Sequence, residues 1–175
     1  MARNIEIKAR LASIEAIEPR VAALADSGPS LITQDDSFFH AACGRLKLRV
    51  FADGRGELIA YDRGDQSGPK LSNYLLVPTP DPGALHAALA RSCGLRGRVR
   101  KQRTLYLIGA TRVHLDRVEG LGDFLELEVV LRDEQPEHEG ITIAHALLAR
   151  WGIAEHQLIA GAYIDLLEAQ DNTVA

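Results

Sequence analysis

Residues 4–8 read NIEIK, and this short segment alternates strictly between polar and apolar side chains. A period of two places both isoleucines on one face of a β-strand and Asn4, Glu6 and Lys8 on the other. Residues 124–132 read FLELEVVLR and follow the same pattern with Glu126 and Glu128. A strand that only showed one face to water would not need carboxylates and a lysine, so these charges require a chemical explanation.

The composition is that of a globular protein with a substantial core. Hydrophobic residues make up 46% and charged residues 25% of the 175 positions, and the net charge is −4, which argues against non-specific nucleic-acid binding. Cys43 and Cys93 have no metal-binding or redox spacing. The sequence shows neither a signal peptide nor a membrane-spanning apolar run. We expect a cytoplasmic protein that binds neither nucleic acid nor membrane.

Capping and periodicity signals predict an α+β fold. About eight alternating segments joined by short connections favour a mainly antiparallel sheet. We interpret residues 1–168 as one domain and residues 169–175 as a flexible tail. Helices are predicted from about Ser13 to Gly28-Pro29, from Asp81-Pro82 to Gly94, from Glu137 to Gly152, and briefly near residues 163–167.

Charged side chains recur on the polar faces of these strands. A solvated outer face would explain any single strand, but the opposite faces are apolar and three amphipathic helices are available to cover them. If the sheet closes, the charges point into an interior wide enough for one small ligand. We therefore predict an eight-stranded antiparallel closed tunnel with helices packed outside. Its charged positions are Glu6, Asp116, Glu126 and Glu128, with Lys8, Lys47, Arg49, Arg63, Lys101 and Arg103.

The two sets of charges match a metal-bound polyphosphate. Lysine and arginine bind phosphate oxygens, whereas carboxylates suit Mg²⁺ or Mn²⁺. Burying both sets without a ligand would be costly. The sequence contains neither GxxxxGK[ST] nor GxGxxG, so side chains rather than a helix N-terminus are expected to bind the phosphates.

The order of these motifs resembles the CYTH superfamily of class IV adenylyl cyclases and thiamine triphosphatases, also called triphosphate tunnel enzymes. Its ExExK signature matches NIEIK at Glu6 and Lys8, and LKLR, KQR, HLD and ELE follow in order. The segment RVHLDRVEGLGDFLELEV resembles the bacterial class IV cyclase branch in particular. The resemblance covers the chain from about Arg3 to Leu167.

The resemblance implies a homodimeric enzyme that holds a triphosphate and a divalent metal inside the tunnel. One position departs from the signature: Asn4 replaces the first glutamate, and an amide brings no charge to a metal. The implied metal ligands are Glu6, Glu126 and Glu128, with Asp116 close by. The implied triphosphate contacts are Lys8, Arg49, Arg63, Lys101 and Arg103, and the catalytic set is Glu6, Lys8, Asp116, Glu126 and Glu128.

Several further residues have two interpretations each. Lys47 shares the face of Arg49 and is either a triphosphate contact or a solubilising residue at the tunnel mouth. His114 is a proton carrier or a hydrogen-bonded wall residue. Lys70 and Tyr74 are substrate contacts or strand-edge residues. His138 and His145, seven apart on a predicted helix, are interpreted as solvated side chains.

Three functions stay open at this point. Conversion of ATP to cyclic AMP and pyrophosphate is favoured by the resemblance to the cyclase branch. A hydrolase of thiamine triphosphate, tripolyphosphate or a nucleoside triphosphate would use the same residues. The third is a non-catalytic polyphosphate- or nucleotide-binding module, against which the retained carboxylates argue.

Overall fold

The computed structural model describes residues 2–174, which form strands and helices in the order that follows. The strands are β1 (Ala2–Arg10), β2 (Ser27–Phe39), β3 (Arg45–Phe51), β4 (Gly56–Arg63), β5 (Lys70–Thr79), β6 (Leu95–Ile108), β7 (Thr111–Val118), β8 (Gly122–Val130) and β9 (Leu158–Ile159). The helices are α1 (Ile14–Ala22), α2 (Pro82–Cys93), α3 (Glu137–Trp151) and α4 (Tyr163–Val174), with a 3₁₀ turn at Glu155–Gln157.

Eight strands close into an antiparallel barrel, which confirms the predicted fold. Neighbouring strands follow the order β5-β4-β3-β2-β6-β7-β8-β1, and pairing of β1 with β5 completes the ring. One edge of β1 pairs with β8. The other edge pairs with β5 as far as Glu6 opposite Lys70, and then with β9 at Lys8 opposite Ile159. The NIEIK segment therefore lies where the barrel closes.

The main apolar core lies between the outside of the barrel and two helices. Alternation on β1, β7 and β8 turns their apolar side chains outward, where α1 and α3 cover them. Helix α2 instead contacts β2, β3 and β6, and none of its own residues is fully buried. The core residues are Ile5, Ile7, Val113, Leu115, Leu125, Leu127 and Val129 of the strands, Ile14, Ile17 and Val21 of α1, and Ala144, Leu147, Leu148 and Trp151 of α3.

Gly140 sets how closely α3 approaches the barrel. A Cβ atom at this position would lie 2.6 Å from Ile5 Cγ1 and 2.9 Å from Leu131 Cδ2. We expect Gly140→Val to lower the free energy of unfolding by about 1–3 kcal/mol through overpacking. Urea denaturation measures this loss. Ala146→Val, at an exposed position of the same helix, is the control, and an equal loss in both variants would contradict the close approach.

The segment between α1 and β3 differs from the prediction. Helix α1 ends at Ala22 rather than near Gly28-Pro29, and residues 27–39 form β2, which has no counterpart among the predicted strands. The chain leaves the helix because Asp26 binds the β6–β7 hairpin. Its N–H donates to the Leu107 carbonyl at 2.8 Å, and its carboxylate accepts from the Gly109 N–H at 2.6 Å.

The boundaries predicted for α2 and α3 are confirmed. Asp81 caps α2 by accepting a hydrogen bond from the Ala84 N–H at 2.9 Å. Helix α3 ends at Trp151, and Gly152 follows it with a φ of 69°, a left-handed conformation that favours glycine. Helix α4 begins at Tyr163 and continues to Val174, through residues that the sequence pattern assigns to a tail. Among residues 2–174, no helix has the length and apolar character needed to cross a membrane.

Candidate active site

The barrel encloses a cavity of about 290 Å³ that is lined by the charged faces of the strands. The predicted inward orientation of these faces is confirmed. Asp116 does not line the cavity surface but is fully buried against Arg103. The lining includes Glu6, Lys8, Lys47, Arg49, Arg63, Lys101, Arg103, Glu126 and Glu128.

The NIEIK strand contributes a buried cluster of ion pairs. Glu6 accepts a hydrogen bond from Nη1 of Arg63 on β4. Nζ of Lys8 lies 3.6 Å from Oε1 of Glu6 and 3.6 Å from Oε1 of Glu126. The same ammonium group lies 4.3 Å from the centre of the Tyr163 ring. Lys8 thus joins carboxylates of two adjacent strands.

Arg103 forms a second cluster with acidic residues of β7 and β8. Its Nε and Nη2 donate to the two carboxylate oxygens of Asp116 at 2.7 and 2.6 Å, and Nη2 also donates to Glu126 at 2.7 Å. The Tyr163 hydroxyl donates to Asp116 Oδ2 at 2.9 Å, and Lys101 Nζ lies 3.6 Å from the same oxygen. A bidentate pair of this kind fixes the orientation of the guanidinium group.

Asp36 on β2 is a site residue that sequence reasoning missed. It is 1% exposed, accepts from Lys47 Nζ at 2.8 Å and accepts from Nε and Nη2 of Arg49 at 2.7 Å each. Asp36 therefore holds the two basic side chains of β3 next to each other. A signal existed, because Gln34, Asp36 and Phe38 alternate, but the segment TQDDS has the composition of a turn.

Tyr163, the first residue of α4, is the second site residue that was missed. Its ring packs against Phe124 at a centroid distance of 4.9 Å and lies 4.9 Å from Lys101 Nζ. Burial, reinforced by Asp116, raises the pKa of its hydroxyl well above the usual value, so the group stays a hydrogen-bond donor. No strand pattern points to Tyr163, since only the closed barrel brings this helix to the cavity.

Glu128 and His114 line the cavity beside these clusters. Glu128 accepts from Arg112 Nε at 2.7 Å, and Arg112 also reaches the Tyr74 hydroxyl at 3.3 Å. His114 Nδ1 lies 3.8 Å from Glu126. Burial and then Arg103 lower the pKa of His114, so the ring is neutral at pH 7.

Lys70 binds backbone rather than the other charged groups of the site. Its Nζ donates to the carbonyl oxygens of Gln66 and Ala160 at 2.8 Å and of Ile159 at 3.3 Å. Lys70 thus joins the loop before β5 to the segment before α4, while Tyr74 lines the cavity. His138 and His145 are exposed on α3, as expected of solvated side chains.

The buried carboxyl groups differ in pKa. Burial and then the neighbouring Glu126 raise the pKa of Glu6 above its usual value. Burial acts in the same direction on Glu126, but Lys8 and Arg103 outweigh it and hold the pKa of Glu126 well below the usual range. At Glu6, by contrast, burial outweighs the nearby Lys8 and Arg63. Within residues 2–174, no three His, Cys, Asp or Glu side chains converge on one point as ready-made metal ligands.

Lys101 gives a testable pH dependence of stability. Burial, and then repulsion by Arg103, lower the pKa of its ammonium group to about 7, whereas a lysine in an unfolded chain titrates at about 10.4. Between these values the unfolded state binds more protons, so the free energy of unfolding rises with pH. We expect Lys101→Met to flatten this rise. Urea denaturation between pH 7 and pH 10 measures the two slopes, and identical slopes would contradict the lowered pKa of the buried Lys101.

Comparisons with known proteins agree with this geometry. The CYTH domain model matches residues 2–163. The chain is 28% identical over 177 residues to the adenylate cyclase CyaB of Aeromonas hydrophila, covering 94% of this chain and 88% of that protein. A solved structure from Pyrococcus horikoshii OT3 has a TM-score of 0.84 at 26% identity and covers 93% of this chain and 98% of its own.

A more distant structural likeness is to a plant protein. A Hippeastrum protein, whose structure is described as revealing a dominant triphosphatase activity, has a TM-score of 0.68 at 16% identity. The likeness covers 97% of this chain and 96% of that one. At this identity the likeness concerns the fold alone. The family match, which spans nearly the whole sequence, decides the classification: the chain belongs to the CYTH domain family.

Proposed function

We propose that the protein is a metal-dependent enzyme acting on a nucleoside triphosphate inside the barrel, and that it converts ATP to cyclic AMP and pyrophosphate. The observation that supports this best is the convergence of basic and acidic side chains on one cavity. Such buried charges are costly without a ligand of matching charge. The relationship to the Aeromonas adenylate cyclase favours cyclisation.

In this proposal the triphosphate binds to basic side chains that are already oriented. Asp36 holds Lys47 and Arg49 together, and Asp116 fixes Arg103. Because these side chains are fixed before the ligand arrives, little conformational entropy is lost on binding. The full set of proposed contacts is Lys8, Lys47, Arg49, Arg63, Lys101 and Arg103.

We further propose that Mg²⁺ or Mn²⁺ binds to Glu6, Glu126 and Glu128. Carboxylate oxygens are the ligands that these cations prefer, and a cation would favour the ionised form of Glu6, whose pKa is raised by burial. Asn4 adds a buried amide oxygen without a hydrogen-bond partner among the described residues. When bound, the cation supplies charge neutralisation and Lewis acidity at the triphosphate oxygens. Asp116 already accepts hydrogen bonds from Arg103 and Tyr163, so its proposed role is to orient Arg103.

The residues of this chain would promote cyclisation by orienting the substrate and by stabilising negative charge. The ribose 3′-hydroxyl oxygen attacks the α-phosphorus, and the bond from that phosphorus to the pyrophosphate oxygen breaks with its electron pair leaving on pyrophosphate. The hydroxyl proton passes to the departing pyrophosphate. Lys101 and Arg103 would stabilise negative charge on the phosphoryl oxygens in a site of low dielectric.

Hydrolysis of a triphosphate is the second candidate. The same basic side chains would bind the substrate, and water instead of the ribose hydroxyl would attack. The Hippeastrum protein has the same fold, and a dominant triphosphatase activity is described for it. For this reason we include hydrolysis as the second reaction to test. Thiamine triphosphate, tripolyphosphate and nucleoside triphosphates are the substrates to compare.

Product analysis distinguishes these activities. The purified protein is incubated with Mg²⁺ or Mn²⁺ and ATP, thiamine triphosphate or tripolyphosphate, and the products are separated by anion exchange. We expect equal amounts of cyclic AMP and pyrophosphate from ATP. Orthophosphate release would support the hydrolase instead, and binding of the triphosphates without turnover would support a non-catalytic module.

We also propose a homodimer, as the family resemblance implies. Apolar side chains on the outer face of β5 support it, since Leu75 is 55% and Val77 44% exposed. Contiguous exposed apolar surface is typical of protein interfaces. Light scattering on the purified protein should give twice the chain mass of 19.1 kDa.

A further inference from the structure

Gln34 is a neutral residue in a highly charged cavity. It lines the cavity from the inner face of β2 and is 4% exposed. Its amide oxygen has no hydrogen-bond partner within residues 2–174. Leaving a buried acceptor unpaired is unfavourable, so the amide is well suited to accept a hydrogen bond from a ligand.

Gln34 lies on β2 between Asp36, which pairs with Lys47 and Arg49, and an apolar part of the cavity. In the sheet, Gln34 is opposite Phe51 of β3 on one side and Lys101 of β6 on the other. Ile32 lies two residues earlier on the same face, and both Ile32 and Phe51 line the cavity. The amide is therefore flanked by an aromatic ring and an aliphatic side chain, with a proposed phosphate contact next to it.

This arrangement matches the chemistry of a flat heterocycle attached to a triphosphate. Apolar and aromatic side chains cover the faces of such a ring, and an amide offers one acceptor and two donors at its edge. The amide of glutamine pairs in bidentate fashion with the 6-amino group and N7 of adenine. A 6-oxo purine presents acceptors at both positions and leaves the glutamine oxygen unpaired.

We propose that Gln34 recognises the 6-aminopurine base of the substrate and so determines base specificity. This inference rests on the proposed function, because it assumes a nucleoside triphosphate in the cavity. The triphosphate would be held by the basic side chains, and Gln34 would distinguish ATP from triphosphates that lack the 6-amino donor. Gln34 makes no contribution to binding of inorganic tripolyphosphate in this scheme.

Equilibrium binding of three ligands tests the proposal. Calorimetric titrations with ATP, ITP and tripolyphosphate are compared for the wild-type protein, Gln34→Leu and the control Gln102→Leu, whose glutamine is exposed on the outer face of β6. We expect the wild-type protein and the control to bind ATP about tenfold more tightly than ITP, which corresponds to about 1.4 kcal/mol. In Gln34→Leu, ATP affinity should fall about tenfold to that of ITP, while tripolyphosphate affinity changes less than twofold.

The outcomes separate this inference from the proposed function. If tripolyphosphate binds but Gln34→Leu keeps the wild-type preference for ATP, base recognition by Gln34 is overturned while the triphosphate site stands. If neither ATP nor tripolyphosphate binds the wild-type protein, the proposed function fails and the inference fails with it. Gln34→Met, which has a similar length and no hydrogen-bonding amide, is the second variant should the leucine variant fold poorly, and it should show the same loss of preference.

Discussion

Glu126→Gln should lower kcat by about 10²- to 10³-fold, the loss seen when one stabilising group is removed from an active site. Glu126 is the carboxylate that connects both ion-pair clusters, through Lys8 at 3.6 Å and Arg103 at 2.7 Å. Neutralising it removes a proposed metal ligand and leaves surplus positive charge in the cavity. The variant should still fold, because Lys8 retains its ion pair with Glu6 and Arg103 retains its hydrogen bonds to Asp116.

The control for this change is Glu119→Gln. Glu119 follows β7, and its exposed carboxylate pairs with Arg100 at 3.7 Å. Turnover should stay within about twofold of the wild-type value, as expected for a change at a surface ion pair. Wild-type turnover by Glu126→Gln at saturating Mn²⁺ would refute the assignment of Glu126 to the active site.

Arg103→Met should lower the free energy of unfolding at pH 7 by about 3–5 kcal/mol, since it leaves buried carboxylates without their cation. Although burial opposes ionisation of Asp116, Arg103 is the main group that lowers its pKa. A carboxyl group whose pKa is lower in the folded state than in the unfolded state stabilises the fold at pH values above its unfolded pKa. This stabilisation is lost as the pH falls towards the folded-state pKa. The difference between wild type and variant should therefore stay nearly constant from pH 7 to about pH 5 and shrink as the pH falls further, through the unfolded carboxyl pKa of about 3.9.

Urea denaturation at several pH values measures this difference. Arg100→Met is the matched control, because Arg100 lies on the outer face of the same strand and forms exposed pairs with Asp35 and Glu119. Arg100→Met should lower the free energy of unfolding by less than about 1 kcal/mol. A loss for Arg103→Met as small as that of Arg100→Met would show that the buried cluster contributes little to stability.

The barrel could be predicted because alternation determines which face of each strand is apolar. Once Ile5 and Ile7 must face a helix, Glu6 and Lys8 must face the other way. The same logic places Glu126 and Glu128 inside. The missed strand β2 shows the limit of this reasoning, since residues that favour turns in isolation can form a strand when neighbours on both sides pair with it.

The partners of the charged residues could not be predicted from the strand pattern. Alternation shows that Arg103 points inward, but its contact with Glu126 depends on the register of three strands. Tyr163 reaches the cavity because of where α4 begins, which no strand pattern encodes. The environment of Gln34 likewise follows from the pairing of β2 with β3 and β6, so it became visible only in the folded chain.

Binding of tripolyphosphate is the most direct test of the central claim, that the charged cavity is a triphosphate site. Titration of the wild-type protein should show one binding site per chain. Arg49→Met should weaken binding by about tenfold or more, since it removes a charge-assisted contact of about 1.5–3 kcal/mol, whereas Arg98→Met on the outer face of β6 should leave it unchanged. Absence of binding to the wild-type protein, or equal binding by both variants, would contradict the account.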